Sequence, residues 1–391
     1  MKINGLIKDI TGASRVTQKR KDAFQKATSE DLYDDPIRVA ARKLHPGKIT
    51  LELLQLRNTT RDAKIYRFGA KSIPYFEAGQ YLVLTMKIGN SIVSRPYSIC
   101  SAPYEALGSH PIVEIVVKRG RGSTFVSDYL LTNAKMKDLF VAEVGLGDFT
   151  YNELRDSKNV VAIVGGSGIS PILSMAKAVK HGDLPINSLT ILYGSITPDD
   201  ILLKEELEKC ICDKVKVVYV LSGNNPTWTG EKGFIDGDMI TKYAPRDATY
   251  FVCGPQPMYD FIKDELKKIR VPERRIRFEV FGMSRNPLEL PGFDRNMEGK
   301  VFKLTVVRGL SETVIDAIAT EPLSSALERV GIKIHTNCRS GACGACRVKV
   351  LEGTYYVSPH NDGRRKADKD FNYVHSCSTY PTSNMKIKIN V

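Results

Sequence analysis

Nowhere in the chain do eighteen apolar residues follow one another, so no segment has the length of a membrane-spanning helix. The opening MKINGLIKDITGASRV lacks the apolar stretch of a secretory signal. Cysteine is scarce, eight in 391 residues, too dilute for a disulfide scaffold. Histidine is scarcer still, six in all, and nothing in the sequence assembles a nucleophilic triad or a glycosidase-like carboxylate pair. The net charge of +13 comes without a basic stripe interleaved with aromatics, because 44 acidic residues are spread among the 57 lysines and arginines. That diffuse pattern argues against nucleic-acid binding. No internal repeat is visible. The expectation is a soluble cytoplasmic protein of two or three domains.

What is present changes character along the chain. Residues 1–35 are polar and charged without sustained apolar periodicity, an N-terminal extension with room for one short helix. Across 36–152, runs such as KITLELLQL, QYLVLTMKI and IVEIVVKR are separated by Gly, Pro and Asn turns, which predicts a small antiparallel barrel. Across 153–284, buried-type strands (NVVAIVG, LTILYGS, VKVVYVLS, ATYFVCG) alternate with helix-like stretches, the signature of a parallel α/β sheet. Residues 285–299 cluster Pro, Gly and charge without period and read as a linker. The remainder, 300–391, opens on a strand (VFKLTVV), passes through a helical PLSSALERVG and reaches a cysteine-rich loop.

That loop is the strongest signal. Cys338, Cys343 and Cys346 follow CxxxxCxxC, with Cys377 downstream, which is the plant-type two-iron, two-sulfur spacing. Gly341, Ala342, Gly344 and Ala345 keep bulk away from a loop whose backbone N–H groups must turn toward a negatively charged cluster. A structural zinc is the alternative, but it usually calls for a second CxxC or a histidine pair, and neither is present. The isolated pair Cys210 and Cys212 in EKCICDK reads as two ordinary thiols.

Three further motifs fit nucleotide chemistry. SRPYSICSAP places Arg95, Tyr97 and Ser98 on a strand, where an arginine can neutralise a phosphate, a tyrosine can pack on a ring and a serine can reach a ring nitrogen. GRGSTFVSDYL puts Gly120, Gly122, Ser123 and Thr124 before a helix start, suited to a pyrophosphate, although a plain capped helix reads the same way. VVAIVGGSGISPILSMA is a strand, a glycine loop (Gly165, Gly166, Gly168) and a helix with Ile169 and Pro171, and Cys253, Gly254 and Pro255 end a later strand. RFEVFGM holds Glu279 and Phe281, on a strand that needs no function to exist.

Taken together, GQYLVL, RPYS, GRGS, GLGDF, GGSGISP and CGP resemble the ferredoxin-NADP reductase superfamily, and the last ninety residues resemble a plant-type ferredoxin domain. The order flavin, nicotinamide, ferredoxin is similar to oxygenase reductase components of the phthalate dioxygenase and phenylacetyl-CoA oxygenase type, over about residues 36–391. The resemblance implies a multidomain fold: an antiparallel β-barrel flavin domain, an α/β parallel-sheet nucleotide domain and an α+β (β-grasp) ferredoxin domain. It implies flavin contacts from Arg95, Pro96, Tyr97, Ser98, Gly120, Gly122, Ser123 and Thr124. It implies nicotinamide contacts from Gly165, Gly166, Gly168, Pro171, Cys253, Gly254 and Pro255, with Glu279 and Phe281 approaching both rings. Ser98, Cys253 and Glu279 are the candidate catalytic residues, and the four clustered cysteines the metal ligands. The activity implied is electron transfer from NAD(P)H through a flavin to a 2Fe-2S cluster and on to a redox protein. FAD is favoured over FMN, since GRGS suits a pyrophosphate. NADH is favoured over NADPH, since LYGSITPDDILLKEEL offers Asp199 and Asp200 but no arginine for a 2′-phosphate.

Residues 300–391 carry fourteen Lys/Arg against eight Asp/Glu, a net of +6, which points to an acidic face on the acceptor. Three other readings remain open: an electron-entry subunit of a larger complex, NAD(P)+ reduction in reverse, and a redox-sensing polyanion binder. The DGRRKADKDF insert before Cys377 reads as a solvated loop.

Overall fold

The computed structural model describes residues 12–22, 47–89, 91–119, 125–279, 287–359 and 362–389. It divides into two units, Met1–Pro46 and Gly47–Val391. Of the first, residues 12–22 form a helix (α1), exposed along its length and carrying an i,i+4 bond from Gln18 to Asp22 at 2.8 Å.

The second unit begins with six antiparallel strands: β1 (Lys48–Thr60), β2 (Ala63–Gly69), β3 (Tyr81–Ile88), β4 (Ser91–Ser98), β5 (Ile112–Lys118) and β6 (Leu139–Leu146), in the order β4-β3-β6-β1-β2-β5. A bridge between Ile99 and Ile115 joins the two edges, so the sheet curls into a barrel. Leu51, Leu53, Tyr66, Phe68, Leu82, Leu84 and Ile115 fill it, and α2 (Phe125–Asn133) inserts Val126, Leu130 and Leu131 into the same core. The strand β3 does not alternate apolar with polar. Leu82, Leu84 and Met86 face the barrel core, and Tyr81 and Val83 on the opposite face are buried as well. Residues from the C-terminal third of the chain cover that outer face.

A parallel sheet follows: β7 (Asn159–Gly165), β8 (Ser188–Ser195), β9 (Val215–Leu221), β10 (Glu231–Lys232), β11 (Thr249–Cys253) and β12 (Ile276–Glu279), ordered β10-β9-β8-β7-β11-β12. The chain runs outward from β7 and then returns to β11 on the other side. The C-terminal ends of β7 and β11 therefore flank the crevice where open α/β sheets bind ligands. Helices α3 (Ile169–His181), α4 (Lys204–Glu208), α5 (Gly237–Tyr243) and α6 (Gln256–Lys268) complete the layer. Their apolar faces account for the periodicity seen in the sequence, and α3 buries ten of its thirteen residues.

Barrel and parallel sheet are held by a charge cluster. Glu114, 2% exposed, takes Arg67 at 2.8 Å and Arg57 at 3.2 Å from the barrel, and lies 3.6 Å from Lys177 of α3. Arg57 also reaches Glu206 at 2.9 Å, Ser174 donates to the Ser101 carbonyl at 2.7 Å, and Phe149 meets Phe251 edge-on at 5.1 Å.

The last third forms a mixed five-stranded sheet from β13 (Val301–Arg308), β14 (Ser311–Ile318), β15 (Arg347–Glu352), β17 (Tyr373–His375) and β19 (Met385–Lys388), ordered β14-β13-β19-β15-β17. Alongside lies a small pair, β16 (Tyr355–Val357) with β18 (Thr379–Pro381). Helix α7 (Leu323–Arg329) packs Leu323, Ala326 and Leu327 onto the large sheet. The linker stretch is pinned: Phe293 is buried against Tyr356 and Tyr380, and the Tyr356 hydroxyl donates to the Pro291 carbonyl at 2.8 Å. The DGRRKADKDF insert is largely exposed, but part of it is helical and part lies on the cysteine loop. It forms α8 (Lys366–Asp370), and a Cβ on Gly363 would lie 2.6 Å from the Gly341 carbonyl oxygen of the cysteine loop. Among the described residues no helix is long and apolar enough to cross a membrane.

Candidate functional site

The four clustered cysteines fall into two pairs. The Cys338 sulfur accepts backbone N–H bonds from Ser340 and Cys343, both at 3.4 Å, while Cys346 and Cys377 stand 3.3 Å apart, sulfur to sulfur. The Cys343 thiol and those inward N–H groups lower the Cys338 thiol below its ordinary value while Cys343 is raised, so the loop favours a thiolate on one sulfur of the pair. Among the described residues no three His, Cys, Asp or Glu side chains converge as ligands of a single ion. Two pairs of thiolates suit two irons bridged by sulfide, and they do not suit one tetrahedral zinc.

His375 braces this loop from beneath. Its Nδ1 lies 2.5 Å from the Gly341 carbonyl oxygen, which only accepts, so Nδ1 carries the proton. Asp368 stands 3.9 Å from its Nε2 and is itself bound to Arg347 at 2.9 Å. Sequence reasoning passed over His375 because a single histidine between cysteines has no pattern of its own.

At the sheet crevice the two glycine motifs touch. Gly168 packs so closely on the end of β11 that a Cβ there would lie 2.0 Å from the Cys253 carbonyl oxygen. A Cβ on Gly165 would lie 2.8 Å from the Met258 sulfur, and Gly166 adopts φ +53°, a backbone that favours glycine. Pro171 is buried in the first turn of α3. Two tyrosines lock the arrangement. Tyr193 donates to the Gly166 carbonyl at 3.1 Å and accepts from the Leu202 N–H at 3.0 Å. Tyr259 accepts from the Gly254 N–H at 3.1 Å and donates to the Glu279 carbonyl. Neither was singled out from sequence, since a tyrosine among apolar residues reads as packing.

Cys253 and Glu279 are adjacent across β11 and β12. Burial pushes the Cys253 thiol well above its ordinary value, with the Glu279 carboxylate adding to the effect. Burial alone raises Glu279 well above the carboxylate range, and among the described residues its Oε2 has no hydrogen-bond partner. An orphaned buried oxygen beside a nucleotide crevice is a place for a ligand donor.

On the barrel, β3 and β4 pair Tyr81 with Ser98, Leu82 with Tyr97, Val83 with Pro96 and Leu84 with Arg95. Ser98 is half-buried, and Tyr97 packs against the barrel core. GQYLVL and GLGDF also meet: a Cβ on Gly79 would lie 2.0 Å from the Phe149 carbonyl oxygen, and Gln80 donates to the Gly147 carbonyl at 3.0 Å. A Cβ on Gly147 would lie 2.7 Å from the Tyr81 ring. Burial raises the Tyr81 phenol, and the charges of Cys343, Cys338 and Glu279 raise it further. The Arg95 guanidinium, expected on a phosphate, lies against Glu328 of α7 at 3.2 Å. Gly120, Gly122, Ser123, Thr124 and Phe281 lie outside the described residues.

The donor sets therefore fit the groups that the sequence implies. Paired thiolates suit a binuclear cluster, a glycine cradle suits a dinucleotide, and an orphaned carboxyl oxygen suits a ring between them.

Comparison with known proteins places this geometry. Three family models match in turn: an oxidoreductase FAD-binding domain over residues 50–151, an oxidoreductase NAD-binding domain over 162–264 and a 2Fe-2S iron-sulfur cluster binding domain over 308–382. The glycine betaine monooxygenase reductase subunit of Chromohalobacter salexigens is 26% identical over 362 residues, covering 88% of this chain and 95% of that one. The NADH oxidoreductase HCR of Escherichia coli is 26% identical over 318 residues, covering 79% and 88%. The solved structure of phthalate dioxygenase reductase shares the fold, with a TM-score of 0.66 at 21% identity, covering 88% of this chain and 98% of that one.

Proposed function

Since the chain belongs to the ferredoxin-NADP reductase superfamily, in the branch that carries a C-terminal 2Fe-2S domain, we propose that it is the reductase component of an oxygenase system. It is an NAD(P)H-dependent oxidoreductase with FAD, NADH and a 2Fe-2S cluster as its cofactors. The bound flavin supplies the conversion of a hydride equivalent into single electrons, which neither the nicotinamide nor the cluster can perform alone. The chain's own contribution is placement. The observation that carries the reading is the position of Tyr81, which adjoins Ser98 across the β3–β4 ladder and feels the charges of Glu279, Cys338 and Cys343.

In this reading Gly165, Gly166, Gly168 and Pro171 would cradle the dinucleotide, and the Cys253–Gly254–Pro255 turn, held by Tyr259, would position its nicotinamide. Buried Cys253 stays a thiol and buried Glu279 stays protonated, so neither places a negative charge against the hydride donor. Ser98 and Tyr97 align the flavin ring, with Gly120, Gly122, Ser123, Thr124 and Phe281 as its further contacts, while Arg95 is engaged by Glu328. Cys338 and Cys343 would hold one iron of a bound cluster and Cys346 and Cys377 the other. NADH is the donor, because Asp200 accepts from the Thr197 hydroxyl at 2.7 Å and no arginine follows β8 before α4. The domains run 36–152, 153–284 and 300–391, after an extension at 1–35 and before and after a linker at 285–299 that separates the last two.

The acceptor presents an acidic face. The +6 charge of residues 300–391 supports this, as do exposed Lys366 and Lys369 on the segment that abuts the cysteine loop through Gly363. The site of action is the cytoplasm. An absorption spectrum of purified protein, before and after stoichiometric NADH and then NADPH, tests the reading. Flavin and iron–sulfur bands that bleach with NADH are expected. Colourless protein without iron and sulfide after reconstitution would overturn it, and bleaching without onward transfer to soluble acceptors would favour a subunit that works only inside a larger complex.

A further inference from the structure

One buried carboxylate belongs to none of the cofactor motifs. Glu328, on the last turn of α7, is 6% exposed and joins two cations from different parts of the chain. On one side Arg95 of β4 approaches its Oε2 at 3.2 Å and its Oε1 at 3.3 Å, while also donating to the Ser94 carbonyl at 2.9 Å. On the other side Arg339, 1% exposed, bonds the same Oε1. Arg339 follows the first cluster ligand directly and sits at φ +56°, a backbone that a bulky side chain adopts only when its surroundings hold it there.

The bridge thus runs from the strand of the RPYS motif, through one carboxylate, to the residue next to Cys338. Two guanidinium groups and one carboxylate leave a single positive charge within this buried seam. Truncating one partner of such a network leaves the others desolvated and uncompensated. The crevice beside it, of about 340 Å³, lies between the same two faces: Val83, Thr85, Ser94 and Glu143 line it from the barrel, Arg308 and residues 333–337 from the ferredoxin domain.

We propose that Glu328 is a positioning residue for interdomain electron transfer: by bridging Arg95 and Arg339 it docks the ferredoxin domain on the flavin strand and sets the charge felt by the Cys338–Cys343 end of the cluster. The inference rests on the reductase reading above. Hydride transfer from NADH depends on the sheet crevice and is independent of this bridge. The subsequent one-electron step, which oxidises the reduced flavin and adds one negative charge to the cluster, depends on it. Removing the carboxylate charge leaves two positive charges beside the cluster and favours its reduced form. Removing the Arg339 charge leaves none and disfavours it.

The test uses the full chain with both cofactors bound. Rapid mixing with NADH follows flavin bleaching and cluster reduction separately, and an anaerobic redox titration gives the cluster midpoint potential. Glu328→Gln is expected to bleach its flavin at the wild-type rate, to reduce its cluster on the order of tenfold more slowly, and to raise the cluster potential. Arg339→Gln is expected to lower that potential. Glu328→Asp keeps the charge but withdraws it by one methylene, so it should restore the potential while remaining slow. A merely structural staple would leave the potential unmoved, and that outcome, or wild-type cluster reduction in Glu328→Gln, overturns the proposal. Should Glu328→Gln fail to fold, Arg339→Gln and Glu328→Asp decide on the same criteria. Absence of NADH bleaching in the unsubstituted protein would instead sink the reductase reading itself.

Discussion

Replacing Gly168 by alanine tests how closely the two glycine motifs must approach. Gly168 sits at φ −61°, ψ −11°, a conformation alanine adopts freely, so backbone preference contributes nothing to the need for glycine. Space does. The added Cβ would lie 2.0 Å from the Cys253 carbonyl oxygen and 2.9 Å from the Gly254 nitrogen, where ordinary contact begins at 3.4 Å. Relief requires the β7 loop and the β11 turn to part by about 1.4 Å (3.4 − 2.0), and neither contact is the far end of a flexible side chain. Overpacking of this kind costs about 1–3 kcal/mol. A shift of about 1 Å at a reacting centre costs on the order of a hundredfold in rate. The expectation for Gly168→Ala is a folded, yellow protein whose flavin is reduced by NADH on the order of a hundredfold more slowly. Gly166→Ala is the control with the opposite cause: among the described residues nothing lies within 4 Å, and φ +53° resists it, at about 1–2 kcal/mol. Gly165→Ala meets the Met258 sulfur at 2.8 Å, which can swing away, and the Pro255 ring at 3.1 Å, which cannot. Stopped-flow reduction at saturating NADH, alongside thermal midpoints, ranks the three. Wild-type reduction by Gly168→Ala, with unchanged NADH affinity, would refute the argument from close approach.

Other substitutions reach other parts of the site. Cys343→Ser and Cys377→Ser should each lose iron and acid-labile sulfide while keeping the flavin spectrum and NADH bleaching; retention of a full complement of iron by either would contradict the paired ligation. Tyr259→Phe removes an acceptor for the Gly254 N–H and a donor to the Glu279 carbonyl, so it should lower stability by about 1–3 kcal/mol and weaken NADH binding, both read by thermal shift with and without nucleotide. Glu279 holds its proton in the folded chain and releases it in the unfolded one, because burial raises its folded-state value. Its contribution to stability is therefore fullest below the unfolded value and is lost as pH climbs toward the folded one. Glu279→Gln should flatten that decline at pH values above the ordinary carboxylate range in urea titrations, and parallel profiles for the two proteins would count against a buried, protonated Glu279.

The parts legible in sequence were those whose chemistry is local. CxxxxCxxC, the strand–glycine–helix of GGSGISP and the CGP turn each fit within a dozen residues, and period alone separated barrel strands from parallel ones. What escaped was nonlocal. Arg95 and Glu328 lie 233 positions apart, so no window contains both, and an arginine in an RxYS motif is read toward a phosphate rather than toward a helix of another domain. Tyr259 and Tyr193 work through single hydroxyls aimed at backbone atoms, which hydropathy counts as apolar filler. In the insert before Cys377, Lys366 and Lys369 are solvated as their composition suggests, and the informative residue is Gly363, which needs to be small to lie on the cysteine loop.

The doubly covered strand β3 limits how the molecule can be taken apart. A fragment ending after the parallel sheet would keep a complete barrel interior yet bare Tyr81 and Val83, side chains that are 6% and 5% exposed in the whole chain. Such a fragment would gain an oily stripe on its outside and a tendency to self-associate. Exchanging the iron–sulfur module for another would likewise require recutting that stripe to match the newcomer. The modules are separate in sequence, but they have been tailored to one another at a shared wall.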